Sequence, residues 1–85
     1  MVFVKSEAKG KLLTFINTNF IKDTGLVLKD ETSFLNEGII DSTGVLELVA
    51  FLEETFGFRV EDEEIIPDNF DSINRLITFI ESKSA

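Results

Sequence analysis

Leu12, Phe15, Ile16 and the pair Asn19-Phe20 recur three or four positions apart, with Ala8 one turn earlier. That spacing puts them on one face of a helix and predicts a first helix within residues 1–19, starting near Lys5. Ser6 or an earlier residue is its candidate cap, and Gly10 weakens it locally. A second run, Val45, Leu48, Val49, Leu52 and Phe56, predicts a helix from about Ser42 to Phe56. Asp41 is placed to cap its start, and Gly57 to end it. A third run, Ile73, Leu76, Ile77 and Ile80 with Phe79 beside it, predicts a last helix over residues 72–82, with Asp71 as cap.

The connections are predicted from their turn residues. Residues 20–40 carry Asp23-Thr24-Gly25, Lys29-Asp30 and Asn36-Glu37-Gly38, all turn signals. A loop of that length must be tied down, and Leu26, Leu28, Phe34, Leu35 and Ile39 are the expected anchors. Residues 57–71 contain a short helical turn, about Asp62 to Ile66, with acids at its start and Pro67 to stop it. No alternating pattern of apolar and polar residues is sustained, and no repeat appears. The expected fold is all-α: a small four-helix bundle of three long helices and one short one, with a long first loop. Residues 1–85 form one domain.

Composition narrows the function classes. The chain is 44% apolar with nine Phe, enough for one small core. A domain this size buries only roughly 60–65% of its unfolded surface, so its stability margin is thin. There is no Cys, hence no disulfide or thiolate chemistry, and no His, the commonest general base and metal ligand. No apolar run spans a bilayer, and Val2-Phe3-Val4 is too short for a signal-peptide core. The expectation is a cytoplasmic protein. Of the net charge of −8, residues 41–64 carry −7, as eight acids against Arg59. That balance excludes nucleic acid as a partner and suits a surface that steers basic proteins.

The acids surround Ser42, which falls in the first turn of the second helix, where unpaired N–H groups and the helix dipole tolerate a phosphate ester. As a nucleophile Ser42 lacks a base: there is no His, and no Lys lies between Lys29 and Lys83. It is therefore a substrate for another enzyme, and no catalytic residue is assigned. Two other motifs fail. Asp30 to Asp41 has the length of a calcium-binding EF-hand loop, but Phe34 and Leu35 occupy positions that need a ligand and a glycine. Asp23-Thr24-Gly25 matches the aspartic-protease motif, which needs an all-β frame that the flanking helical patterns deny.

Asp41-Ser42, Val45-Leu46-Glu47-Leu48-Val49 and Glu53-Glu54, flanked by Ser33-Phe34-Leu35 and Phe70-Asp71-Ser72-Ile73, resemble the acyl carrier proteins and related aminoacyl and peptidyl carriers. The resemblance covers most of the chain. It implies the acyl-carrier bundle, and a 4′-phosphopantetheine arm placed on Ser42 by a phosphopantetheinyl transferase and bearing acyl groups as thioesters. Asp41 belongs to the attachment motif and, by resemblance, helps hold the transferase's Mg²⁺; a single carboxylate is too little for a resident metal site. Partner contacts are expected at Thr43, Gly44, Leu46, Glu47, Ala50, Glu53, Glu54 and Val60. The partners implied are the transferase, an acyl- or aminoacyl-loading ligase, synthases and acyltransferases, met by a monomer. The family's leucine after the serine is Thr43 here, followed by Gly44, a departure that suggests a specialised carrier. The competing reading is an unmodified acidic helical adaptor for basic proteins.

Overall fold

The structure, a computed structural model, describes residues 4–21 and 27–84. The described residues form four α-helices, α1 Lys5–Asn19, α2 Ser42–Phe56, α3 Pro67–Phe70 and α4 Ile73–Ser84, with a 3₁₀ turn at Asp62–Glu64. No strand occurs among the described residues. The bundle of three long helices and one short one is the expected fold. The Asp23-Thr24-Gly25 turn and the Leu26 anchor lie outside the described residues.

Each helix buries the stripe that its periodicity marks. Ala8, Leu12 and Ile16 of α1, Leu48 and Leu52 of α2, and Ile73, Leu76 and Ile80 of α4 meet in one core, with Phe15, Val45, Val49 and Phe56 half-buried around it. At roughly 1.5–3 kcal/mol for each fully buried large aliphatic side chain, this shared core is the main force holding three otherwise marginal helices together. Phe15 of α1 stacks on Phe51 of α2 at 4.2 Å, and Phe58 and Phe70 both meet Phe79 of α4. Gly57 ends α2 in the left-handed conformation at φ 75°, and its N–H closes onto the Glu53 carbonyl.

Several local expectations are corrected by tertiary structure. The residue at the start of α1 is Val4, with no side-chain cap, so Ser6 caps nothing. Pro67 does not stop a helix. It opens α3 at the first helical position, where its missing N–H costs nothing. The turn predicted to reach Ile66 ends at Glu64. Asp71 is not the cap of α4. Ser72 takes that role, its Oγ accepting from Arg75 N–H at 3.1 Å and its carbonyl from Leu76 N–H. Among the loop anchors, Phe34 and Ile39 are buried and Leu28 half-buried, whereas Leu35 is 56% exposed. Two adjacent apolar residues entering the tight turn 34–38 cannot both point inward, and Phe34 wins.

The long loop is stapled to α1, to the end of α3 and to the start of α4. Asn74 N–H donates to the Asp30 carbonyl at 3.0 Å, and Lys9 Nζ donates to Asp30 Oδ2 at 2.7 Å. Phe34 N–H donates to the Asp71 carbonyl at 2.8 Å. Loop residues thereby become a wall of the region in front of α2.

Candidate functional site

Ser42 sits at the first position of α2, exposed to solvent. Its neighbours on the chain hold it there. Ile39 and Ile40 are buried just before it, and Gly44 is buried just after it, so the exposed pair Asp41-Ser42 projects from a fixed base. Asp41 caps the helix as expected: its Oδ1 accepts from Gly44 N–H at 2.7 Å, and its carbonyl takes the first helical bond, from Val45 N–H at 2.9 Å. Loss of such a cap typically costs about 1 kcal/mol.

The packing behind the serine explains Gly44. A Cβ at this position would lie 2.8 Å from Phe20 Cε1 and 3.1 Å from Ile40 Cγ2. The glycine lets the end of α1 close against the first turn of α2. Gly44, where the resemblance implies a partner contact, is therefore buried and offers no side chain to a partner. Val60 is likewise buried, at 8% exposure, and its N–H donates to Glu53 Oε2 at 2.9 Å. That bond also turns half-buried Glu53 back onto its own chain. Thr43, Glu47, Ala50 and Glu54 are exposed together, and Leu46 is 63% exposed.

Beside Ser42 opens a groove of about 270 Å³, between the first turn of α2 and the segment leading into α3. Its floor and walls include Phe34, Ile40, Val45, Ile65, Pro67 and Phe70, and Ser42 stands at its margin. Of five large apolar residues that are exposed among the described residues, three, Leu35, Leu46 and Ile66, line this one groove. A clustered apolar lining beside a single exposed hydroxyl marks a binding surface rather than scattered surface apolarity.

Asp71 also lines the groove. Its Oδ2 accepts from the Ser33 hydroxyl at 2.6 Å and its Oδ1 from Leu35 N–H at 2.9 Å. Ser33 Oγ in turn accepts from Asn36 N–H at 3.1 Å. No ion pair to Asp71 forms among the described residues, so neutral donors alone satisfy this carboxylate. Sequence reasoning missed this role because Asp71 precedes a helical run and reads as its cap. Ser33 and Asp71 are 38 positions apart, and no local pattern links them.

The acidic segment beyond α2 is folded on itself. Glu61 and Glu64 cap the 3₁₀ turn reciprocally. Lys83 Nζ reaches Glu64 at 2.8 and 3.1 Å, pinning the end of α4 to this turn. The Lys83 hydrogen bond, helped by the Glu61 N–H, holds the Glu64 carboxyl below its ordinary value of 4.5, against a smaller opposing effect of desolvation. Arg59 lies 3.9 Å from Glu61. Glu47, Glu54, Asp62 and Glu63 form no ion pair among the described residues and stay exposed.

A family model described as "Phosphopantetheine attachment site" matches residues 18–80. The chain belongs to this carrier-protein family. Acyl carrier protein 2, mitochondrial, of Arabidopsis thaliana is 35% identical over 92% of the chain, which spans 60% of that protein's length. D-alanyl carrier protein of Streptococcus gordonii is 30% identical over 84% of the chain and 87% of its own length. A chain of a solved structure described as "Crystal structure of FAD-dependent dehydrogenase" superposes with a TM-score of 0.73 at 28% identity, over 81% of this chain and 97% of that one. The prosthetic group of the family is 4′-phosphopantetheine, held covalently.

The residues of this carrier fit that group. An exposed hydroxyl at a helix start has the room and the polarity that a phosphodiester needs, and the adjoining groove offers apolar surface to whatever the arm bears. No helix among the described residues is long and apolar enough to cross a membrane. No cluster of metal-ligating side chains occurs among them either.

Proposed function

We propose that Ser42 is the attachment residue, and that the chain is a dedicated carrier of acyl or aminoacyl groups, delivered as thioesters through α2 and the groove rim. The observation that carries this reading is the exposed Ser42 hydroxyl at the margin of the 270 Å³ groove. In the loading step Ser42 Oγ forms the new bond to phosphorus as the pyrophosphate link of coenzyme A breaks. The nucleotide bisphosphate leaves, and a base of the transferase takes the hydroxyl proton. When bound, the arm supplies the thiol that holds cargo as a thioester. This chain supplies no catalytic group of its own, for it has neither His nor Cys.

The groove supports cargo with a small apolar body. An engineered cavity of about 150 Å³ binds benzene, so 270 Å³ has room for roughly ten carbon atoms. Exposed Thr43, Leu46, Glu47, Ala50 and Glu54 support a docking face for basic partners, with Leu35 and Ile66 added from the groove rim. The partners proposed are the transferase, a loading ligase and the synthases or acyltransferases that take the cargo, met by a cytoplasmic monomer. The likeness to a chain described with an FAD-dependent dehydrogenase supports adding a flavoenzyme that oxidises tethered cargo to the partners assayed.

The test is intact mass after incubation with coenzyme A, Mg²⁺ and a promiscuous phosphopantetheinyl transferase, with Ser42→Ala alongside. A gain of one phosphopantetheine in the parent alone is expected. No gain in a chain shown to be folded refutes the assignment and favours an unmodified acidic adaptor.

A further inference from the structure

The geometry points to Asp71 as the specificity-determining residue of the cargo groove, a latch that fixes its width and so the size of group it shelters. This inference rests on the carrier reading above, with the apolar part of the cargo lodged in the groove.

The groove lining is drawn from distant parts of the chain. Phe34 and Leu35 belong to the first loop, while Phe70 and Asp71 end α3. Phe34 holds its place by burial, at 2% exposure. Leu35 and Asn36 have no such anchor, since both are exposed. Apart from the turn bond that the Leu35 carbonyl accepts from Gly38 N–H, what holds them is Asp71. One carboxylate oxygen takes Leu35 N–H, and the other takes the Ser33 hydroxyl, which itself receives Asn36 N–H. Hydrogen bonds to an ionised acceptor are roughly twice as strong as neutral ones, and here two of them tie the first loop to the end of α3. Asp71 is half-buried and meets no cation among the described residues, so its charge serves this junction alone. With the latch shut, Leu35 is fixed in the lining it shares with Leu46 and Ile66. With it open, Leu35 N–H and the Ser33 hydroxyl lose their acceptor, and the segment 33–36 keeps the Phe34 N–H bond to the Asp71 carbonyl and the turn bonds from Glu37, Gly38 and Ile39 N–H, which leave its exposed tip free to shift.

The experiment compares the parent with Asp71→Ala and with the milder Ser33→Ala, each loaded at Ser42 from acetyl-, butyryl-, octanoyl- and dodecanoyl-coenzyme A by the promiscuous transferase. Two quantities are read: the rate at which hydroxylamine cleaves each thioester relative to the free acyl-pantetheine, and hydrogen exchange at the Leu35 and Asn36 amides. In the parent, butyryl and octanoyl groups are cleaved about tenfold more slowly than the free thioester, while dodecanoyl, too long for the groove, is not sheltered. In both variants the two amides exchange faster, and shelter of butyryl and octanoyl falls to about threefold or less. Identical shelter profiles in parent and variants, or unchanged exchange at Leu35 and Asn36, would overturn the latch. A parent that loads normally but shelters no chain length removes the groove and the latch together and leaves the carrier standing. Absence of loading fails the carrier reading itself, and is seen in the mass before any cleavage is measured. Ser33→Ala decides the matter if Asp71→Ala does not fold.

Discussion

Two glycines in helices should respond to the same substitution with opposite signs. Gly10 lies in α1 with nothing within 4 Å of where a Cβ would stand. Gly10→Ala therefore gains the intrinsic helix preference alone, about 1 kcal/mol, partly through a less disordered unfolded chain. Gly44 has the same preference to gain, but its Cβ would meet Phe20 at 2.8 Å and Ile40 at 3.1 Å. Ile40 is 3% exposed and has nowhere to go. Half-buried Phe20 can turn outward, giving up its edge contact with Phe15 at 5.7 Å. Overpacking of this kind costs about 1–3 kcal/mol, which exceeds the helix gain and leaves Gly44→Ala about 1 kcal/mol less stable than the parent. For a domain this size 1 kcal/mol moves Tm by about 4–8 °C, so the two variants should separate on either side of the parent. The assay is urea unfolding of Gly10→Ala, Gly44→Ala, Phe20→Leu and Gly44→Ala/Phe20→Leu. Phe20→Leu should cost less in the Gly44→Ala background, with a coupling energy of about 1 kcal/mol. Equal stabilisation by Gly10→Ala and Gly44→Ala, with additive double mutants, would refute the account of Gly44 as a packing residue.

Other perturbations address the cap, the charges and pH. Asp41→Ala should lower stability by about 1 kcal/mol in urea unfolding, whereas Asp41→Asn, which keeps the acceptor for Gly44 N–H, should lose far less. Glu47→Lys and Glu54→Lys should slow transfer to basic partners and flatten its salt dependence while leaving the unfolding curve nearly unchanged; unaltered kinetics in both would take this face out of the docking surface. Because the folded state lowers the Glu64 pKa, its contribution to stability is complete above the ordinary value of 4.5 and is lost as pH falls through the lowered one. Unfolding midpoints measured from neutral into acid pH should show that loss, and Lys83→Met should shrink it by removing the strongest of the bonds responsible.

Much of this molecule is legible in the sequence because its helices are stripes. The residues at three- and four-fold spacing in α1, α2 and α4 supply the core, and Asp41 and Gly57 mark the limits of α2 as their chemistry dictates. The misreadings share a cause. Gly44, Val60, Leu35 and Asp71 take their roles from residues that local spacing does not reveal. Gly44 is small because Phe20 arrives from the end of α1, and Val60 is buried because the chain after Gly57 folds back towards Glu53. Pro67 illustrates the ambiguity of punctuation: the residue that ends one helix is equally suited to begin another. The capped start of α2 is readable because it is local, with cap, serine and stripe in one short stretch. The groove beside it is not, since its walls come from the first loop and from α3.

The stapling of the first loop to the start of α4 also bears on when the molecule becomes competent during its own synthesis. Residues emerge from the ribosome in order, and α2 with its serine is made well before Asp71 and Asn74 exist. Until those two arrive, Leu35 has no carboxylate to hold it, Asp30 has no amide to accept from, and the wall formed by Phe70 is missing. A nascent or truncated chain thus displays the serine without the setting that surrounds it. An enzyme that reads the setting as well as the hydroxyl would leave incomplete chains alone.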